Sequence, residues 1–170
     1  MGVIFDLDQT LIESAPAEPL RKARKWPEVY KIIPELQPYD GISELLEILS
    51  LSGIPLCIVT SSPSSYCQRV ISYWKWKIDA TVCFHDTKNK KPHPEPIFLG
   101  IKKMNVLKDK VVVIGDDAKD IYAAQRAGVY SVAVMWGAND KEGLLKSKPN
   151  KVFAEVLELK EFLYEYYNLK

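Results

Sequence analysis

Five short apolar runs punctuate the chain: Val3–Leu7, Leu56–Thr60, Thr81–Phe84, Val111–Gly115 and Ser131–Met135. They are brief and rich in β-branched residues, which favours buried strands over helices. Between them, apolar positions recur at helical spacing. Ile42, Leu45, Leu46 and Leu49 form one stripe, with Gly53 as its C-terminal stop. Ser62 is placed to cap a second helix with Pro63 at its first position, running through Val70 to about Trp74. Pro94 opens a third helix, carrying Ile97, Phe98 and Ile101. A fourth covers Ala118 to Ala127 and is stopped by Gly128. A last amphipathic helix carries Val156, Leu157, Leu159, Phe162, Leu163 and Tyr166.

Strands alternating with helices predict an α/β fold, a parallel sheet covered on both faces. In such sheets ligands bind beyond the carboxyl ends of the strands. One segment breaks the alternation. Residues Ile12 to Tyr39 hold five of the 11 prolines, Pro16, Pro19, Pro27, Pro34 and Pro38, together with Arg21, Lys22, Arg24, Lys25, Trp26 and Tyr30. The segment is too short for a domain and is expected to form one or two short helices over the edge or mouth of the sheet.

The 170 residues suit one domain, here taken as 1–170, with 47% hydrophobic and 26% charged residues. The net charge of +1 supplies no global attraction for nucleic acid, which argues against such a partner. No apolar stretch reaches the length of a membrane span. The strand pattern begins almost at Met1, which argues against a leader peptide. Cys57, Cys67 and Cys83 form no CxxC pair, which points to a reducing, cytoplasmic setting.

The residues just after each run carry the candidate chemistry. The first run leads into Asp6-Leu7-Asp8-Gln9-Thr10, and strand alternation points Asp6 and Asp8 the same way. The second ends in Thr60-Ser61-Ser62, Lys90-Lys91 follow the third, and the fourth gives Asp116, Asp117 and Asp120. Crowded carboxylates repel, and a hard cation with oxygen ligands relieves the repulsion, which suits magnesium. A carboxylate can attack phosphorus, a second can shuttle a proton, and a lysine with a cation can meet the charge on the transferring oxygens.

The pieces FDLDQT, IVTSS, KKPHPEP and IGDDAKD, in this order, resemble the four motifs of the haloacid dehalogenase superfamily. The resemblance extends from residue 4 to about 136, including WGAND after the fifth run. It implies a Rossmann-like three-layer α/β/α fold with a five-stranded parallel sheet in the order 5-4-1-2-3. It further implies Asp6 as nucleophile and Asp8 as general acid/base. Thr60, Ser61 and Lys91 would bind phosphate. Magnesium would be held by Asp6, Asp116 and the backbone carbonyl of Asp8, supported by Thr10, Asp117 and Asp120. An acid at the position of Asp8 favours phosphatases and phosphomutases over the superfamily's dehalogenases and P-type ATPases.

Two alternatives stay beside a phosphomonoesterase. A phosphotransferase or phosphomutase would use the same Asp6. A phosphoacceptor receiver module also gathers acids, a hydroxyl and a lysine, but its acid pair precedes the phosphoacceptor, whereas Asp116-Asp117 come late. The segment 12–39 replaces a full cap domain, and no extra domain fits between Val70 and Lys90. An open site of this kind suits large phosphorylated substrates or closure by a partner surface. Arg21, Arg24, Trp26 and His85 are the candidates for substrate contact, while Lys88, Lys90 and Lys103 read as surface. Neither His85 nor His93 has a partner at metal-ligand spacing.

Overall fold

The computed structural model describes residues 1–169. In chain order it contains β1 (Gly2–Phe5), α1 (Glu18–Lys22), α2 (Trp26–Ile32), α3 (Ile42–Leu51), β2 (Leu56–Val59), α4 (Ser64–Trp74) and β3 (Ala80–Val82). There follow α5 (Glu95–Met104), β4 (Val111–Gly115), α6 (Ala118–Ala127), β5 (Tyr130–Val134), α7 (Lys141–Lys146), β6 (Lys151–Phe153) and α8 (Val156–Tyr167). The strands form one sheet in the order β3-β2-β1-β4-β5-β6, and every neighbouring pair is parallel.

Five strands stand where the apolar runs put them, in the expected order. The sixth, β6, is an addition. Its three residues are exposed or half-buried, so no apolar run announces it. It exists because the backbone of β5 offers an open edge, which pairs Val132 with Lys151 and Val134 with Phe153. Helix α7 was equally silent, being only six residues long. Its N-cap Asp140 accepts a hydrogen bond from Gly143 N–H at 2.9 Å.

Alternation along the strands sorts side chains into two cores. Val3, Phe5, Leu56, Ile58, Val112 and Ile114 face α3, α4 and α8, contributing with Leu45, Leu49, Val70, Leu159 and Leu163 to one buried cluster. Ile4, Cys57, Val59, Val111 and Val113 face α5 and α6, packing with Ile97, Ala123 and Ala124. All three cysteines are free and buried. The 12–39 segment forms α1 and α2, flanked by short 3-10 turns at Ala15–Ala17 and Ile33–Glu35. Val29, Ile33 and Leu36 anchor it in the α3 and α4 core, which leaves Arg21, Lys22, Arg24 and Trp26 at the cleft.

Two local expectations need correction. The first ladder closes at Phe5, not Leu7, and its last link is Asp6 N–H donating to Ile114 O at 2.9 Å. Strand alternation therefore does not set the direction of Asp8. Ser62 does not cap α4: the N-cap is Pro63 and no side chain caps that end. The Ser62 hydroxyl is drawn instead to a carboxylate, described below. No helix among the described residues is long and apolar enough to cross a membrane.

Candidate active site

The central strands β1 and β4 end side by side, and their next residues are acids. Asp6 follows Phe5 and Asp116 follows Gly115. Asp120 comes from the first turn of α6, where it closes a capping box with Asp117: Asp117 accepts from Lys119 N–H and Asp120 accepts from Asp117 N–H. The Cβ that Gly115 lacks would lie 2.3 Å from Asp120 Oδ2, so glycine is what lets this carboxylate fold back over the strand end.

Asp6, Asp116 and Asp120 each bring a carboxylate oxygen within 4.8 Å of the others. The Lys91 ammonium enters this cluster from the segment before α5. It donates to Asp6 Oδ1 at 2.9 Å, to Asp120 Oδ1 at 2.5 Å and to Val59 O at 3.0 Å. Burial opposes the charge on Lys91, but the attraction of Asp120 and Asp6 outweighs it and holds the ammonium above its ordinary range. One ammonium does not balance three carboxylates. Burial, with repulsion from Asp120 and Asp8 and against the pull of Lys91, pushes Asp6 up to about 7. Burial, with repulsion from Asp6 and Asp120, pushes Asp116 up to about 8, although the Thr10 hydroxyl donates to its Oδ1 at 2.7 Å.

A site of this composition is short of positive charge and offers only oxygen donors, so it fits a hard divalent cation. Asp120 uses one oxygen on Lys91 and the other on Asp117 N–H. That leaves Asp6 and Asp116 as the carboxylates with capacity for an ion. Asp117 is exposed and occupied with its cap.

Asp8 lies outside this cluster in a different setting. Its Oδ2 accepts from Arg21 Nη2 and from the Ser62 hydroxyl, both at 2.8 Å, and its Oδ1 accepts from the Tyr66 hydroxyl at 2.9 Å. Arg21 also donates to Ser14 Oγ at 3.1 Å and to Ser62 Oγ at 3.2 Å. Arg21 thus both lines the cleft and is tied to Asp8. Tyr66 and Ser14 were invisible as site residues. The apolar spacing of α4 gives Tyr66 a place in the core, and only the fold reveals that its hydroxyl reaches Asp8.

The remaining candidates divide. Thr60 is buried, and its hydroxyl accepts from Ser62 N–H at 3.0 Å. Ser61, Arg24, Trp26 and His85 line an open cleft of ≈ 550 Å³ with Asp6, Asp8 and Asp116, to which Phe84 and Asn139 add walls. Trp26 packs on Tyr66 with ring centroids 6.1 Å apart. Lys90 is not a solvated side chain: its ammonium donates to Phe84 O and Thr87 O, clamping the turn that carries His85. Lys103 is exposed, as expected of a surface residue, and donates to Thr81 O at 2.7 Å. His93 is turned to its own segment, accepting from Glu95 N–H at 3.1 Å.

Comparison with known proteins places this arrangement among relatives. The family model described as haloacid dehalogenase-like hydrolase matches residues 16–134. The phosphoglycolate phosphatase of Escherichia coli K12 is 29% identical over 127 residues, 71% of this chain and 49% of that protein. The phosphoglycolate phosphatase of Xylella fastidiosa is 28% identical over 188 aligned positions, 82% of each chain. The chain thus spans about half the length of the E. coli relative. Among solved structures, a predicted phosphoglycolate phosphatase from Haemophilus somnus superposes with a TM-score of 0.81 at 19% identity, covering 95% of this chain and 97% of its own. A hydrolase from Pseudomonas syringae gives 0.81 at 23% identity, covering 97% and 98%. At these identities the structures speak for the fold.

Proposed function

The chain belongs to the haloacid dehalogenase-like hydrolase family, and from that premise we propose that it is a magnesium-dependent phosphomonoesterase working through an aspartyl-phosphate on Asp6. The observation that carries the reading is the cluster of Asp6, Asp116 and Asp120, with Lys91 donating to Asp6 and Asp120, beside an open cleft lined by Asp6, Asp8 and Asp116.

One carboxylate oxygen of Asp6 attacks phosphorus, with Lys91 donating to this carboxylate at Oδ1. The new O–P bond forms as the bond to the leaving oxygen breaks, and Asp8 gives that oxygen its proton. Asp8 then takes a proton from the water that attacks the aspartyl-phosphate, releasing phosphate and restoring Asp6. Lys91, Ser61 N–H and the Thr60 hydroxyl supply donors for the phosphoryl oxygens. Magnesium, held by Asp6, Asp116 and the Asp8 carbonyl, would neutralise charge on those oxygens when bound.

The single-domain organisation, with α1 and α2 in place of a cap, belongs to the same proposal, as does action on large phosphorylated substrates. The cleft is lined by Arg24 and Trp26 of the insert together with His85 and Asn139.

The test is turnover of an activated aryl phosphate with and without magnesium, using Asp6→Asn as the control. We expect magnesium-dependent release of phosphate that Asp6→Asn loses by at least about a thousandfold. Equal turnover by the two proteins sinks the mechanism. Product analysis with added alcohols separates hydrolysis from phosphoryl transfer. Strong, selective turnover of small sugar phosphates by the monomer would overturn the large-substrate part alone.

A further inference from the structure

A proton donor and acceptor is useful only if its carboxylate stands at one place relative to the reacting oxygen. Asp8 sits past the end of β1, where its backbone bridges only to Ile12 and no strand neighbour directs its side chain. What fixes it instead comes from three separate stretches of chain. Arg21 arrives from α1, Ser62 from the loop after β2, and Tyr66 from the first turn of α4. Between them they occupy both oxygens of Asp8, at 2.8, 2.8 and 2.9 Å.

We infer that Arg21 is a positioning residue for Asp8, and that it acts with Ser62 and Tyr66 as a clamp that sets the orientation of this carboxylate. The inference rests on the phosphomonoesterase reading above. Arg21 is itself held in place, by Ser14 Oγ at 3.1 Å and by packing of its guanidinium over the Tyr66 ring, 5.5 Å from the centroid. Its side chain is 22% exposed and that of Asp8 11%. Both Nη1 and Nη2 are engaged, while the buried Nε has no partner. A buried ion pair of this kind also contributes little net stability, because desolvation offsets the attraction. The consequence of the clamp is geometric. The short insert, too small to cover the cleft, contributes to the chemistry by holding the proton-transfer residue still. A single hydroxyl on Tyr66, whose side chain is wholly buried, completes the arrangement.

The experiment is a double-mutant cycle with Asp8→Asn, read as kcat and KM for an activated aryl phosphate in magnesium. An aryl leaving group departs without a proton, so Asp8→Asn retains measurable turnover. Arg21→Gln is expected to lower kcat about tenfold or more with little change in KM. Combined with Asp8→Asn it should lower kcat no further than Asp8→Asn does alone, because Arg21 acts through Asp8. Tyr66→Phe should follow the same pattern more weakly, and it carries the test if Arg21→Gln fails to fold by circular dichroism. Losses that multiply in the double variants, or an effect of either substitution confined to KM, overturn the clamp. A wild type indistinguishable from Asp6→Asn is a different result: it removes the phosphatase reading and the clamp with it.

Discussion

Thr10 shows how much one side chain can contribute here. Its hydroxyl is fully buried and donates to Asp116 Oδ1 at 2.7 Å, while its backbone carbonyl accepts from Trp136 Nε1 at 3.0 Å. The resemblance implied a supporting role for this threonine at the acidic site; the structure directs its hydroxyl to Asp116. That contact fixes which Asp116 lone pair faces the cleft, the task of residues that orient metal ligands from behind. Thr10→Val keeps the shape and deletes the donor. We expect it to raise the magnesium concentration for half-maximal activity by about ten- to a hundredfold, with little change in the phosphate-ester KM, measured by titrating metal at saturating ester. An unchanged magnesium requirement would show that Asp116 does not depend on this contact. Asp6 and Asp116 were legible as candidates because each directly follows a strand, and Asp8 and Lys91 because they fall in motifs that resemble those of the family. Ser62, Tyr66 and the inward turn of Arg21 were not, because each is defined by a partner more than ten residues away.

At the scale of elements, the site depends on how closely two of them approach. Only two residues separate the end of β4 from the start of helix α6, so its capping acid Asp120 lies directly over the strand terminus. The absent Cβ of Gly115 makes that approach possible, since added there it would lie within 2.4 Å of three Asp120 side-chain atoms. Gly115→Ala is therefore expected to displace Asp120 from Lys91 Nζ and to cut turnover at least about tenfold while leaving the fold intact. A crystal structure of the variant with Asp120 still on Lys91 would contradict this. Gly137 plays the same part in the loop after β5. A Cβ there would come within 1.8 Å of Gln9 O, a backbone atom that cannot yield, so this loop packs against the Asp8 loop only as glycine. The WGAND motif was readable in the sequence as the far end of the resemblance; its close backbone packing was not. The elements most clearly read, α3 and α6, are those with long apolar periodicity and a glycine stop. Those missed, α7 and β6, are short and largely exposed, and they form because a neighbour offers a cap or an open edge.

For the whole molecule, the carboxylate cluster is expected to make stability depend on pH and, on the proposed reading, on metal. Asp6 and Asp116 bind protons more tightly folded, at about 7 and about 8, than in the unfolded chain, where the ordinary value is 3.8. Between those limits the native state holds more protons than the unfolded state, so stability is greatest at the acid side and falls as pH rises through the folded values. The metal-free protein should therefore show a melting temperature that declines from about pH 5 to about pH 8. Magnesium should flatten that decline by binding the ionised cluster in the native state only. A metal-independent profile in thermal denaturation would argue against a cation at Asp6 and Asp116. The sequence by itself determined the alternation of strands and helices and placed Asp6 and Asp116 just after the first and fourth strands, while the strand order came only from the resemblance. It could do so because hydrophobic period and strand-end position are local properties of the chain. Only the tertiary structure decided that Asp120 completes the cluster on Lys91, that a sixth strand closes the edge, and that Arg21 reaches inward to Asp8. Those outcomes depend on distances between segments far apart in the chain, which are fixed when the two cores pack around the sheet.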